Sequence, residues 1–290
     1  LMAAAGIALV FNWYSAAIDF LFSVIWFMYE VLLITPVERS NIKKMVDHIV
    51  RYCIAMGTAL MIGAFLFLPA ALAMSDGKGN VEWIPILGIY GWGNIFSFIQ
   101  RFELGSRSEY GSVSLYCGSL AVIGCIAYML CKKIDRNKKI LHSILIVFVL
   151  SLFYIPVFVW GFSLLKVVGS YWYRYSYIGI ITLIVIAAEF FSVKDQETNT
   201  RALMWKATAV AVLVLFFMEY VKPLGKPFNV YMTVLAFIAT MLFTDILFWT
   251  KRVSVKRIVI FLMAVTVSTE LVYNAKLIMT LDGGVEHFTQ

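Results

Sequence analysis

Charge is scarce in this chain. Only 14% of its 290 residues are Asp, Glu, Lys or Arg, and 62% are hydrophobic, whereas an average soluble domain is about 25% charged. A soluble fold of this size has too little interior to bury so much apolar side chain. That excludes a soluble enzyme and a disordered chain. Cysteine is scarce as well, at Cys53, Cys117, Cys125 and Cys131. Three of the four fall on one apolar segment, where helical spacing would hold Cys117 and Cys125 roughly 12 Å apart, beyond the reach of a disulfide. Neither CxxC nor a Cys/His metal spacing is present, so a disulfide scaffold and a zinc module are excluded and no metal ligands are assigned. The familiar catalytic signatures are missing too: HExxH, GxSxG, the phosphate-binding GxxxxGKS/T and the dinucleotide GxGxxG. The glycines between Gly88 and Gly93 have the wrong order and context for the last of these. His48, His142 and His287 are isolated in the sequence and read as loop or interfacial residues.

Long apolar runs are what the chain has in abundance. A helical span needs about 20 mostly apolar residues, and that ruler gives eight full candidates, at 15–34, 49–73, 112–131, 140–161, 174–192, 206–221, 230–249 and 258–274, with a partial one at 1–10. The runs are continuous and do not alternate, which excludes a β-barrel. The expected fold is all-α, a polytopic transmembrane helical bundle. The chain opens at Leu1 inside an apolar stretch with neither a basic leader nor a cleavage site, and we read it as a fragment of a longer protein. Residues 1–274 form the predicted membrane domain, with 275–290 beginning an external region.

The net charge of +7 reports topology and not nucleic acid. Residues 83–100 carry no charge, but Pro85, Gly88, Gly91, Gly93 and Asn94 disfavour a helix there. If 83–100 does not span, the loops at 35–51, 132–139, 193–206 and 250–257 share one side and hold 16 Lys and Arg, against 8 opposite. If it spans, the split becomes 11 against 13. Cytoplasmic loops are the basic ones, so the first arrangement is preferred. The loop at 74–111 is then external, and 83–100 lies on or dips into the outer leaflet.

Intramembrane ionisable groups are costly and tend to be functional. Asp19 and Glu270 fall near the outer ends of their spans and are expected to be buried in the bundle. Glu30, Glu189 and Asp245 lie toward the cytoplasmic side and read as snorkelling groups or partners of loop lysines. Arg174 is the sharpest residue. It sits in Tyr171-Trp172-Tyr173-Arg174-Tyr175-Ser176-Tyr177 at the outer entrance of a span. A guanidinium grips phosphate or carboxylate through paired hydrogen bonds, whereas the aromatics alone could be an ordinary interfacial belt. Pro156 reads as a kink and Pro69 as a helix stop.

Ordered pieces along the chain resemble one family. Asn12-Trp13-Tyr14 with Phe27-Met28-Tyr29-Glu30, Phe65-Leu66-Phe67-Leu68-Pro69 with Gly77-Lys78-Gly79, and Leu115-Tyr116-Cys117-Gly118 come in turn. They are followed by Phe153-Tyr154-Ile155-Pro156, Tyr173-Arg174-Tyr175-Ser176-Tyr177 and Glu270-Leu271-Val272-Tyr273-Asn274-Ala275. Their order and spacing are similar to those of the bacterial YfhO family of multi-pass membrane proteins, regarded as having a GT-C-type glycosyltransferase fold. Two departures are Trp13 in the family's N-Y-Y turn and Trp172 in place of a proline.

The resemblance implies a transferase in the bacterial cell membrane. It would use a polyprenyl-phosphate-linked sugar and modify a cell-surface polymer, with lipoteichoic acid as an acceptor class. By the same resemblance, the catalytic carboxylate belongs to a first external loop upstream of residue 1, so the fragment alone would be inactive. Arg174, with Tyr173 and Tyr177, would hold the carrier phosphate, and Asp19 and Glu270 would be supporting carboxylates orienting Arg174 or a divalent metal. No other cofactor and no nucleic acid is implied. Two other classes use the same charges differently: a transporter or flippase of lipid-linked sugars, and a non-enzymatic scaffold for envelope assembly.

Overall fold

The structure, a computed structural model, describes residues 13–33, 41–75, 101–106, 108, 113–164, 173–192, 200–221 and 227–281. The described residues form helices and no strands. In chain order these are α1 (Trp13–Leu33), α2 (Ile42–Ser75), α3 (Ser119–Leu130), α4 (Arg136–Tyr154), α5 (Pro156–Phe162), α6 (Ser176–Ser192), α7 (Thr200–Val221), α8 (Pro227–Trp249) and α9 (Val253–Leu281). Continuous apolar sequence becomes helix here because backbone N–H and C=O groups in lipid find partners only within the helix. Breaks come where charge accumulates: Lys132 and Lys133 precede α4, and Lys251 and Arg252 separate α8 from α9.

Each of the eight predicted spans is occupied by helix. Among the described residues six helices are long and apolar enough to cross a bilayer by themselves, while α3 and α6 are shorter. Of the eight predicted spans, six therefore hold helices of full length, and those at 112–131 and 174–192 hold shorter apolar ones. The largest departure is at 112–131, which is helical only from Ser119; residues 113–118 are non-helical. At 1.5 Å per residue, the 12-residue α3 is about 18 Å long, well short of a bilayer core of about 30 Å. Pro69 does not stop a helix, because α2 runs through it to Ser75. Pro156 does break one: it is the first residue of α5, after Ile155 in extended conformation, as expected for a residue preceding proline. The partial span at 1–10 and the stretch at 83–100 lie outside the described residues, as do most of the loop at 74–111 and residues 282–290. Helix α9 continues past 274 to Leu281.

The chain divides into two compact units, Leu1–Gly91 with Ser143–Ser170, and Trp92–His142 with Tyr171–Gln290. In the first, α1 and α2 meet through the Ser23 and Tyr52 hydroxyls, 2.7 Å apart, and through stacking of Phe27 on Tyr52. Across the Pro156 break, Phe148 packs edge-on against Phe158. In the second unit α3 is central, packed against α6, α7 and α8. It earns that place with small side chains: Ser119, Ala121, Gly124 and Ala127 are all buried. A Cβ on Gly124 would stand 2.9 Å from Ala187 Cβ of α6, so the two backbones touch because the residue is glycine.

Side-chain bonds of the second unit sort into two ends. Residues 101–106 reach the start of α8 and the end of α9, through Leu104 to Thr233 and Gly105 to Asn274. At the other end the close of α6 meets the start of α4 through Glu189 and Lys138. The start of α7 meets the close of α8 through Arg201 and Asp245. That alternation is what consecutive membrane crossings require, and the basic segments 132–139, 200–206 and 250–257 share the second end.

Candidate functional site

The site is built at the end of the second unit that carries residues 101–118. Non-helical backbone is tolerated at membrane depth only when it is buried in protein or lines a water-filled cavity. Val113, Leu115, Tyr116 and Cys117 are all buried. Ser106 and Ser114 tie the segment together, their hydroxyls 2.8 Å apart, with the Ser106 hydroxyl donating to the Arg101 carbonyl at 2.6 Å.

Gly118 then starts α3 with φ +89° and ψ 150°, and it offers no side chain to cap the helix. Its Cβ-less backbone reaches a region essentially confined to glycine. Glu270 of α9 supplies the missing cap. Its Oε1 accepts from the Ser119 backbone N–H at 2.7 Å and from the Tyr116 hydroxyl. Its Oε2 accepts from the Ser119 hydroxyl at 2.7 Å. Ser119 Oγ is in turn 2.6 Å from Thr240 Oγ1 of α8. A carboxylate at a helix N-terminus answers orphan N–H groups and the positive end of the helix dipole together. This accounts for a carboxyl group at 6% exposure.

Arg174 lies in the turn that leads into α6 and is exposed. Its neighbours point the other way: Tyr173 and Tyr175 are buried, edge to face with ring centres 6.2 Å apart. The turn closes with the Ser176 N–H donating to the Tyr173 carbonyl at 2.8 Å. Tyr173 adopts φ +56°, an outlier for a bulky residue, and such strain clusters at functional sites. Tyr177 is half-buried at the first turn of α6.

Asp19 departs from expectation. It belongs to the first unit and is exposed on α1, whereas Ile18 beside it is almost fully buried. Successive helical residues are about 100° apart, so when Ile18 takes the packed face Asp19 leaves it. The structure thus brings Glu270 together with Tyr116, Ser119 and Thr240, a capping group that sequence reasoning missed. A glycine–serine pair at the true start of α3 was its one available signal.

Of Glu30, Glu189 and Asp245, the carboxylates expected toward the cytoplasmic side, two have basic partners. Asp245 receives Arg201 Nε at 2.5 Å and Nη2 at 2.7 Å, and Glu189 lies 3.1 Å from Lys138 Nζ. His142, isolated in the sequence, is corrected by the fold: it is buried, with Nδ1 2.8 Å from the Tyr128 hydroxyl and Nε2 3.6 Å from Glu189. Loop-plus-helix folding joins residues that sequence separation hid. All four cysteines are free. Among the described residues no three His, Cys, Asp or Glu side chains converge on a metal site.

Comparison with known proteins bears on the whole arrangement. The family described as "Bacterial membrane protein YfhO" matches residues 1–285. No curated protein and no solved structure matches the chain. With the match running over nearly its full length, and with six membrane-length apolar helices among the described residues, this chain belongs to the YfhO family of bacterial multi-pass membrane proteins.

Proposed function

We propose that the protein is a membrane glycosyltransferase. It moves a sugar from a polyprenyl-phosphate carrier to a cell-surface polymer such as lipoteichoic acid, at the outer face. The observation that carries this reading is the placement of Arg174, an exposed guanidinium beside a strained, buried tyrosine at the entrance to α6. In the proposed reaction Arg174 binds the carrier phosphate and stabilises the charge that develops on it as the sugar leaves. The N-terminus of α6 adds positive potential from below. Tyr177 flanks the phosphate, and Tyr173 fixes the turn. A carboxylate deprotonates the acceptor hydroxyl; no residue of this chain is assigned that part. Glu270 is a positioning residue that holds the non-helical segment before α3 and the start of α3 together.

The test uses the full-length protein in proteoliposomes with a radiolabelled sugar on polyprenyl phosphate. Arg174→Ala is expected to abolish transfer while membrane insertion is retained, and Arg174→Lys to keep a fraction of it. Normal transfer by Arg174→Ala would overturn the role.

One observation favours a second reading, a flippase of lipid-linked sugars. The 113–131 segment is discontinuous, non-helical to Gly118 and then helical, as are the broken helices of transporters. Movement of the labelled carrier across the bilayer without an acceptor, and no sugar transfer with one, would select that reading.

A further inference from the structure

The second unit contains an apolar pocket of about 290 Å³, walled by Phe102, Val122, Cys125, Leu183, Ala211 and Phe237 among others. Its depth follows from the helix ends. Measured at 1.5 Å per residue from the helix ends on the side that carries residues 101–118, Leu215 lies about 9 Å in, Leu183 about 11 Å and Phe237 about 15 Å. Val122 is no shallower, because Ser119 at the start of α3 bonds Thr240, about 20 Å into α8. The pocket therefore runs through one half of a hydrocarbon core about 30 Å thick to its middle. The distribution of Lys and Arg makes that half the outer leaflet. Val210 and Val214, which also line it, are exposed, so the pocket opens sideways from the helix bundle toward lipid.

Water is a poor occupant. A buried water needs two to four polar partners, and the side chains lining the pocket are aliphatic, aromatic or thiol. An empty pocket would forfeit dispersion contacts along every wall. The volume is about twice that of a dry cavity known to accept one benzene ring, which is room for roughly a dozen carbon atoms. At this depth the adjacent material is the acyl region of the bilayer, and a dozen carbons is most of one straight chain within a leaflet.

We propose that this pocket is a lipid site that takes one acyl chain of an outer-leaflet glycerolipid, inserted sideways past Val210 and Val214. The site is independent of the transferase reading. It makes a bilayer lipid part of the packed core around α3, between α6, α7 and α8.

The test is photocrosslinking of the full chain in phosphatidylglycerol liposomes that carry a diazirine on the acyl chain, with adducts mapped by mass spectrometry. Adducts are expected on Val122, Cys125 and Leu215 as well as on the exposed Leu213 and Phe217. Ala211→Phe, or Leu183→Phe from another wall should the first not fold, should reduce the pocket adducts severalfold and leave those on Leu213 and Phe217 unchanged. The proposal fails if Leu213 and Phe217 are labelled and the pocket is not, or if neither filling variant that folds reduces pocket labelling. It also fails if a small mole fraction of polyprenyl phosphate removes the pocket adducts, which would assign the pocket to the carrier.

Discussion

At the scale of single residues, the start of α3 rests on two unlike devices. Gly118 supplies a backbone conformation, and Glu270 supplies acceptors. A Cβ at position 118 would meet only Leu271 Cδ2, at 3.9 Å, so Gly118→Ala should cost stability through its φ alone, about 1–3 kcal/mol. Glu270→Ala removes the acceptor of three buried donors, the Tyr116 hydroxyl and the backbone and side chain of Ser119. Each buried group left unanswered costs roughly 1–3 kcal/mol before relaxation. Glu270→Gln keeps one acceptor oxygen and should lose less. Melting in detergent checks both, read by maleimide labelling of the buried Cys117, Cys125 and Cys131 in a Cys53→Ser background, since Cys53 is exposed. The order of Tm expected is native, Gln, Ala; equal Tm for all three would remove the capping role. Arg174 and Glu270 are therefore separable, one tested by transfer and the other by stability.

At the scale of elements, α3 is held by closeness. Its face toward α6 is set by Gly124, whose missing side chain lets Ala187 and Phe191 approach. In lipid there is no hydrophobic drive between helices, so association depends on this kind of contact. Gly124→Ala places a methyl group 2.9 Å from Ala187 Cβ, and neither atom can rotate away. The expected result is a clearly lowered Tm, partly restored by adding Ala187→Gly. A pair of purely additive losses would show that the two positions do not share a contact. The same element shows where apolar sequence misleads. Residues 112–131 read as one span because the run is mostly apolar, yet hydropathy does not distinguish a helix from buried non-helical backbone. Gly118 and the polar ring around Ser119 do.

At the scale of the whole molecule, basic loops and helix alternation agree in the second unit. The ends joined by Lys138–Glu189 and Arg201–Asp245 are those with the surplus of Lys and Arg. Cysteines introduced one at a time into a cysteine-free background should report this. Lys133→Cys and Lys251→Cys are expected to resist an impermeant maleimide in intact cells, whereas Tyr220→Cys, at the other end of α7, should label. Labelling of all three from outside would reverse or break the topology. The lipid-facing surface is large: Met61, Phe65, Phe217, Phe261 and Val272 are among many exposed apolar side chains, as bilayer solvent permits.

The sequence alone determined the solvent, the element type and the approximate limits of the described spans other than 112–131. Those follow from summed hydrophobicity and from the requirement that backbone groups in lipid bond within their own helix, both local properties. It also marked Arg174 as a residue set apart by charge among aromatics. Tertiary structure alone decided which intramembrane carboxylate is enclosed. Glu270 and Asp19 look equivalent along the chain, yet Glu270 meets a helix start 151 residues away and Asp19 is turned outward by the packing of Ile18. It likewise decided that His142 is a buried partner of Tyr128 and not an interfacial residue. Burial and hydrogen-bond partnership are relations between distant segments, so no reading of one segment at a time contains them.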